Sequence, residues 1–383
     1  MKLSCLHFTC ELNPRMGGIL TGIEETTIHL NRFDIAGTIV SLGNSRIAFR
    51  AVGPRISRLN EEGIETVLTK FWFTNSYGLG WNSRKFVKIL EESDYSLVVL
   101  HQVYTLSTLV GYRYAKKRGI PYAVFPHGSL TRYHESDSKL IKRIAKRVVI
   151  SKILKSCDSV IVTCRSELED LDDHLQSKAV LLPYGANVNH GLQEVDTWEE
   201  KQPENMRILF SGRFDKKKNI PTILRAVKLL HSEYPHIVLD VAGLGTRDEK
   251  NLLTQLVQDL NLESNVVFHG WVDRNRLSEL ISSSRALVLP SENENFALVV
   301  SEALSAGVPC VVSKFVGTSD IVDKYHAGVV IDDLTPNSLA EGMMKILKGD
   351  QSAYRRAAFM ATRKELDWSR ISRLWREFIQ SLA

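Results

Sequence analysis

The chain has 383 residues, 44% hydrophobic and 24% charged, enough to bury two ordinary domain cores rather than one. Its net charge of +5 lies wholly in the first half, where residues 1–198 carry 25 basic against 20 acidic side chains and the remainder carries 24 of each; that asymmetry bears on the partners of the N-terminal half. The five cysteines are odd in number and never spaced C-x-x-C, which argues against disulfides and zinc, and the lack of any 18-residue apolar run or signal-like start leads us to expect a cytoplasmic protein with no membrane span.

In chain order, residues 3–10 read as a strand, 13–18 as a turn and 19–33 as a helix. The Gly17-Gly18 pair between strand and helix either lets backbone N–H groups close on a phosphate or simply turns the chain. Apolar runs at 47–52, 97–100 and 122–125 alternate with helical stretches, the pattern of a Rossmann-like domain. The aromatic stretch 71–81, with Tyr77 in it, serves packing or offers faces on which a sugar acceptor stacks. One strand ends in His101 and Tyr104, and a later one in Pro126-His127-Gly128; a histidine at such an edge is as readily structural as functional.

Residues 139–155 hold seven basic side chains and no acid, with Leu140, Ile141, Ile144, Val148 and Val149 in an apolar stripe. This is a domain helix with a solvated basic face, or a surface for peripheral docking on anionic lipid at the inner face of a membrane. Nucleic acid is not expected, because no recognition motif accompanies the charge. Asp170-Leu-Asp172 is a D-x-D, a metal-binding signature elsewhere, but in a helical pattern residues two apart diverge, so no metal site is expected. The polar segment 191–205 is the best linker, dividing domains at 1–198 and 199–365 with a terminal amphipathic helix over 366–383.

Past the linker, Met206–Ser211 restarts the strand pattern, and Gly212, Arg213 and Lys218 fall in the loop before a helix near Pro221. Basic side chains in a loop are ordinary; held at a sheet's carboxyl edge they also suit a diphosphate. Gly243-Leu-Gly245 begins like a dinucleotide fingerprint but lacks the third glycine, and Asp248 would repel a pyrophosphate. Val266–Val272 is a further strand. Ala286–Leu289 then leads through the polar turn Ser291–Asn295 into a helical pattern that Gly307 and Pro309 end. Glu294 precedes that helix and Glu302 lies about two turns into it among apolar neighbours, where burial would demand a partner.

Glu294-Asn295-Phe296-Ala297-Leu298-Val299 with Glu302-Ala303 resembles the E-x-F-G-L-x-x-x-E-A segment of retaining glycosyltransferases of family 4. Gly212-Arg213 with Lys218 resembles their G-R-x4-K motif, His127-Gly128 their first-half His-Gly pair, and Gly17-Gly18 their first glycine-rich loop. Ala297 and Asn219 stand where that family commonly has glycine. The resemblance implies an α/β protein of two Rossmann-like domains facing a cleft, the GT-B fold, whose last helix crosses back to the first domain.

It implies transfer of a sugar from a nucleoside-diphosphate donor, UDP-glucose or a related UDP-hexose as the best guess, to a glycan or lipid-linked saccharide in polysaccharide biosynthesis, without metal or cofactor. Arg213 and Lys218 would stabilise the diphosphate, Glu294 and His127 hold the donor sugar, Glu302 the ribose, and Val272 the base. Gly17, Gly18, Gly212, Asn295, Phe296, Ala297, Leu298 and Val299 would line the donor, and His101, Tyr104 and Tyr77 the acceptor side. A sugar-nucleotide epimerase of the same fold and a non-catalytic nucleotide-sugar-binding subunit are the alternatives.

Overall fold

The computed structural model describes residues 3–10, 12, 17–42, 53–69, 90–91, 93–131, 149–186 and 206–382. The expected turn residues Asn13–Met16, the apolar run 47–52, the aromatic stretch with Tyr77, most of the basic stretch (139–148) and the linker 191–205 lie outside them. The chain forms two compact units, Met1–Tyr184 together with Trp368–Ala383, and Gly185–Asp367.

Among the described residues, the first unit holds seven parallel strands: β1 (Leu3–Thr9), β2 (Ile35–Leu42), β3 (Glu65–Thr69), β4 (Leu97–His101), β5 (Tyr122–Phe125), β6 (Ser159–Val162) and β7 (Ala179–Leu181). Their order is β3-β2-β1-β4-β5-β6-β7, reversing direction between β1 and β4. Central strands covered on both faces read as unbroken apolar runs, and β4 is Leu-Val-Val-Leu before its final histidine. Strands β2 and β3 were not anticipated. In β2 the sequence Ile-Ala-Gly-Thr-Ile-Val-Ser-Leu dilutes the apolar signal. Gly37 is there for a packing reason: a β-carbon would meet the Thr27 methyl of the overlying helix Gly18–Arg32 at 2.2 Å.

That helix is tied to helix Gly53–Glu61 by Arg55–Glu24 at 3.2 Å and Arg58–Glu25 at 2.7 Å. Its other neighbour is the last helix, Trp368–Leu382. Trp368, Ile371, Trp375, Phe378 and Ile379 recur at helical spacing and are all buried. The Trp368 indole stacks on His29 at 4.3 Å between ring centres, and Arg376 donates to the Phe33 carbonyl. The Asp170–Asp173 stretch departs from the expected continuous helix: it joins two short helices, Arg165–Glu169 and Asp173–Gln176, with Asp172 and Asp173 exposed.

Among its described residues the second unit has six parallel strands: β8 (Arg207–Ser211), β9 (Val238–Ala242), β10 (Val266–Gly270), β11 (Ala286–Leu289), β12 (Cys310–Ser313) and β13 (Gly328–Ile331). Their order is β10-β9-β8-β11-β12-β13, reversing between β8 and β11. The glycines after β9 serve geometry. Gly243 has φ +141°, and a β-carbon there would lie 1.8 Å from the Gly212 carbonyl oxygen. Thr246 and Glu249 then form a reciprocal capping box that starts helix Arg247–Asp259, which accounts for Asp248 in its first turn. Among the described residues, no helix is long and apolar enough to cross a membrane, and no cluster of His, Cys, Asp or Glu could hold a metal ion.

Candidate active site

In an open parallel sheet the loops at the carboxyl ends beside the reversal of strand order form the natural ligand crevice. In the second unit those loops follow β8 and β11, and they carry the residues singled out above. After β8, Asp215 accepts from the Lys217 N–H and caps a single 3-10 turn, Lys216–Lys218. Asn219 then takes φ +56° before helix Ile220–His231. The turn gives the three lysines different surroundings. Lys216 is exposed and Lys217 half-buried, whereas Lys218 is buried and forms an ion pair with Glu294. Arg213 extends into solvent, its side chain 61% exposed, with only a 4.0 Å approach to Asp215.

After β11, the loop is threaded like a short extra strand. The Glu294 N–H donates to the Phe315 carbonyl at 3.0 Å, and the Gly317 N–H donates to the Glu294 carbonyl at 2.9 Å. The Ser313 hydroxyl donates to the Ser291 carbonyl, and the Glu292 N–H to the Lys217 carbonyl. The main chain on both sides of Glu294 is thus fixed by the loops after β8 and β12. Phe296 is buried beneath, and Ala297 caps helix Leu298–Ser305 at φ +64°, ψ +72°. Glu302 is half-buried on that helix and is not without a partner.

The left-handed conformation of Ala297 supplies a backbone reason for glycine at this position. Ala297→Gly is expected to stabilise the second unit by about 0.5–1 kcal/mol, read as a raised denaturant midpoint at constant slope. An unchanged or lowered midpoint would show that the alanine methyl gains more from burial than its backbone loses.

At the end of β10, Gly270 turns the chain at φ +68° and its carbonyl accepts from the Gly243 N–H at 2.7 Å. Trp271 beyond it is exposed and Val272 half-buried. Gly212, Arg213, Lys218, Gly270–Val272, Glu294–Val299 and Glu302 therefore occupy one end of one sheet.

In the first unit, Gly17 sits at φ +57°, ψ −128°, a conformation open only to glycine, and caps helix Gly18–Arg32 with none of the described residues within 4 Å of the missing β-carbon. His101 ends β4, and Tyr104, 40% exposed, lies just ahead of helix Leu106–Arg118. His127 and Gly128 follow β5 at φ +51° and +77°.

His127 has both ring nitrogens occupied. Its Nε2 is 2.9 Å from His101 Nδ1, and its Nδ1 is 2.9 Å from the Tyr184 hydroxyl. The expectation that this ring reaches a donor sugar thus meets an imidazole already bonded on both sides. Burial holds His127 down to about 3 and His7 down to about 4, and holds His101 well below the usual histidine range, its two histidine neighbours adding to the effect. All three are neutral at pH 7.

Glu167, His7 and Tyr184 were missed from sequence. Glu167 is 2% exposed and accepts from Gly128 N–H at 2.7 Å, Thr163 N–H at 2.9 Å and the Thr163 hydroxyl at 3.1 Å. An acidic residue in the first turn of helix Arg165–Glu169 reads as an exposed, dipole-favoured side chain; its partner Gly128 lies 39 residues away, beyond any local pattern.

Comparison with known proteins adds the following. Residues 16–190 match the family described as Glycosyltransferase Family 4, and residues 194–363 match Glycosyl transferases group 1. An uncharacterized glycosyltransferase of Methanocaldococcus jannaschii is 34% identical over 161 residues, 39% of this chain and 40% of that protein's length. The D-inositol 3-phosphate glycosyltransferase of Corynebacterium urealyticum is 23% identical over 82% of this chain and 76% of its own. Among solved structures, sucrose-phosphate synthase from Thermosynechococcus elongatus superposes with TM-score 0.74 at 19% identity, over 99% of both chains. Anabaena HepE, solved in complex with UDP-glucose, superposes with TM-score 0.75 at 16% identity, over 99% of this chain and 100% of its own. The two parallel α/β units are those of the GT-B fold.

Proposed function

Because this chain belongs to the family 4, group 1 glycosyltransferases and is a transferase, we propose that it moves a hexosyl residue from a UDP-hexose, UDP-glucose foremost, to a hydroxyl of a glycan or lipid-linked saccharide, with retention at the anomeric carbon. The observation that carries this reading is the Lys218–Glu294 pair at the reversal between β8 and β11, with the Arg213 guanidinium exposed on the same loop. A cation beside a carboxylate at that edge suits a ligand that is anionic at one end and rich in hydroxyls at the other. HepE, of the same fold, binds UDP-glucose.

In the reaction proposed, the bond from the anomeric carbon to the diphosphate oxygen breaks as the sugar becomes oxocarbenium-like. Arg213 and Lys218 stabilise the charge gathering on the departing diphosphate, a task of roughly 3–4 kcal/mol per key contact. The first-turn N–H groups of helix Leu298–Ser305 add to it. Glu294 holds sugar hydroxyls and Glu302 ribose hydroxyls. The acceptor oxygen attacks from the face the diphosphate leaves, its proton passing to that diphosphate. With the leaving charge met by two side chains and a helix terminus, the step is written without a metal. The setting proposed is polysaccharide assembly on the inner side of a membrane, with the basic sequence 139–155 meeting anionic lipid.

The test is a panel of nucleotide sugars incubated with purified protein, following released nucleoside diphosphate and free sugar by mass spectrometry. Slow hydrolysis of one UDP-hexose, lost in Glu294→Gln, is the expected result. Interconversion of donors without nucleotide release would instead favour epimerase chemistry, and tight binding with no cleavage at any acceptor concentration would favour a binding subunit.

A further inference from the structure

The bonds at His127 belong to a longer chain. His7 Nδ1 lies 2.9 Å from His101 Nε2, His101 Nδ1 lies 2.9 Å from His127 Nε2, and His127 Nδ1 lies 2.9 Å from the Tyr184 hydroxyl. The four side chains come from β1, the end of β4, the turn after β5 and the segment after β7, so the array spans the reversal of strand order in the first unit. All are buried, and His7 Nε2 ends the array with no hydrogen-bond partner among the described residues, the Trp375 ring centre 6.5 Å away.

Each neutral imidazole has one N–H and one lone pair. A donor at one nitrogen forces an acceptor at the other, so the three histidines adopt their tautomers together, in one sense or the opposite one. At the far end is the turn Pro126–Ser129, whose His127 and Gly128 both hold left-handed φ. Glu167 grips that turn from its other side through the Gly128 N–H. A backbone held in a costly conformation by two buried polar systems marks a place where shape is being maintained.

We propose that His7, His101 and Tyr184 are positioning residues that act through His127, the four forming one tautomerically coupled array that sets the His127–Gly128 turn for glycosyl transfer. The ring of His127 then acts neither as a base nor as a hydroxyl partner. Its part is to hold the turn, and substrates meet the turn rather than an imidazole nitrogen. This inference rests on the transferase reading only for its catalytic half; the coupling within the array stands independently.

The test pairs a spectroscopic and a kinetic measurement on the full chain. Tyr184→Phe removes one oxygen and keeps the ring stacked near Phe125 and His127. With ¹⁵N-labelled histidine, this substitution is expected to shift the side-chain nitrogen resonances of His7, two imidazoles away. It should also lower kcat for donor cleavage by about tenfold with the donor KM unchanged. His7→Phe is expected to give the same kcat loss, and the double variant no more than either alone. Unmoved His7 resonances in Tyr184→Phe would overturn the coupling whatever the enzyme's substrate. Shifted resonances with full kcat, or losses that multiply in the double variant, would overturn the positioning role. If the wild-type chain cleaves no donor, the transferase reading fails on that control alone, while the resonances still decide the array.

Discussion

Replacing Lys218 with methionine is expected to lower kcat by about 10²–10³ while leaving the second unit folded. Methionine keeps the apolar length of the stem; the Lys218 Cε already lies 3.6 Å from the point where a β-carbon on Gly212 would sit. What disappears is the ammonium group that pairs with Glu294 and, in the proposed reaction, meets the departing diphosphate. The same change bares a partly buried carboxylate, whose 20% exposed side chain loses its ion-pair partner. A cycle with Glu294→Gln, read as denaturant midpoint, isolates the stability part: glutamine removes the bared charge, so the double variant should recover the midpoint lost in Lys218→Met. Turnover is read on Lys218→Met alone, because Glu294→Gln by itself is expected to abolish donor cleavage. Near-normal turnover in Lys218→Met alone would remove the lysine from the mechanism. Lys216→Met and Lys217→Met change less buried side chains and are expected to have small effects.

The second large effect is on stability and is confined to the first unit. The folded protein keeps His7 and His127 neutral until about 4 and about 3, because burial penalises their charged forms. The unfolded chain takes up those protons near 6.5. Their contribution is therefore complete above 6.5 and is lost as pH falls from 6.5 towards 4. At pH 5 the loss is about 2 kcal/mol for each ring, and a loss of about 4 kcal/mol is a large part of a domain's net stability.

Hydrogen exchange read by mass spectrometry at pH 7 and pH 5, corrected for the intrinsic rate, should show β1, β4 and β5 losing protection while β8, β9 and β11 keep theirs. The groups packed around the rings do not reverse the sign: His7 faces His101 and Trp375, and His127 faces Phe125, His101 and Tyr184. Glu167, the carboxylate that grips the same turn, is turned to main-chain donors and Thr163. Equal loss of protection in both units would tie the acid sensitivity to something other than these rings.

How far the sequence carries differs between the halves, for physical reasons. In the second unit the site is built from loops that each hold several consecutive letters of one motif. Five residues from Arg213 to Lys218 were enough to choose among three adjacent lysines, and the structure buries that one against Glu294. Asn219 and Ala297, the two departures from the resembled pattern, both stand at left-handed φ, +56° and +64°. The pattern's glycines thus mark backbone geometry, which this chain reaches with an asparagine that tolerates it and an alanine that does not readily do so.

In the first unit the linked side chains are 94, 26 and 57 residues apart. Only sheet order brings them together, and no local spacing encodes it. Locally, His7 is one polar letter inside an apolar strand, Tyr184 one residue just past β7, and Glu167 an acid in the first turn of a helix. Strand β2 escaped for a related reason, since packing against the helix Gly18–Arg32 selects small residues such as Gly37 that weaken the apolar signal.

The return of Trp368–Ala383 to the first unit also sets an order of events during synthesis. The ribosome emits Met1–Tyr184, then the whole of Gly185–Asp367, and only afterwards the helix that contributes Trp375 beside His7. The second unit is contiguous and can complete itself while the first still lacks a wall. Leu366 and Asp367 fold back on Ala186, through a 2.7 Å bond from the Ala186 N–H to the Leu366 carbonyl and a parallel bridge to Asp367. The outgoing and returning chain are thereby brought side by side before the last helix is delivered. The nascent first unit closes over its histidines only after the second unit has been made, so a stall while residues 368–383 are being added would leave their burial unfinished.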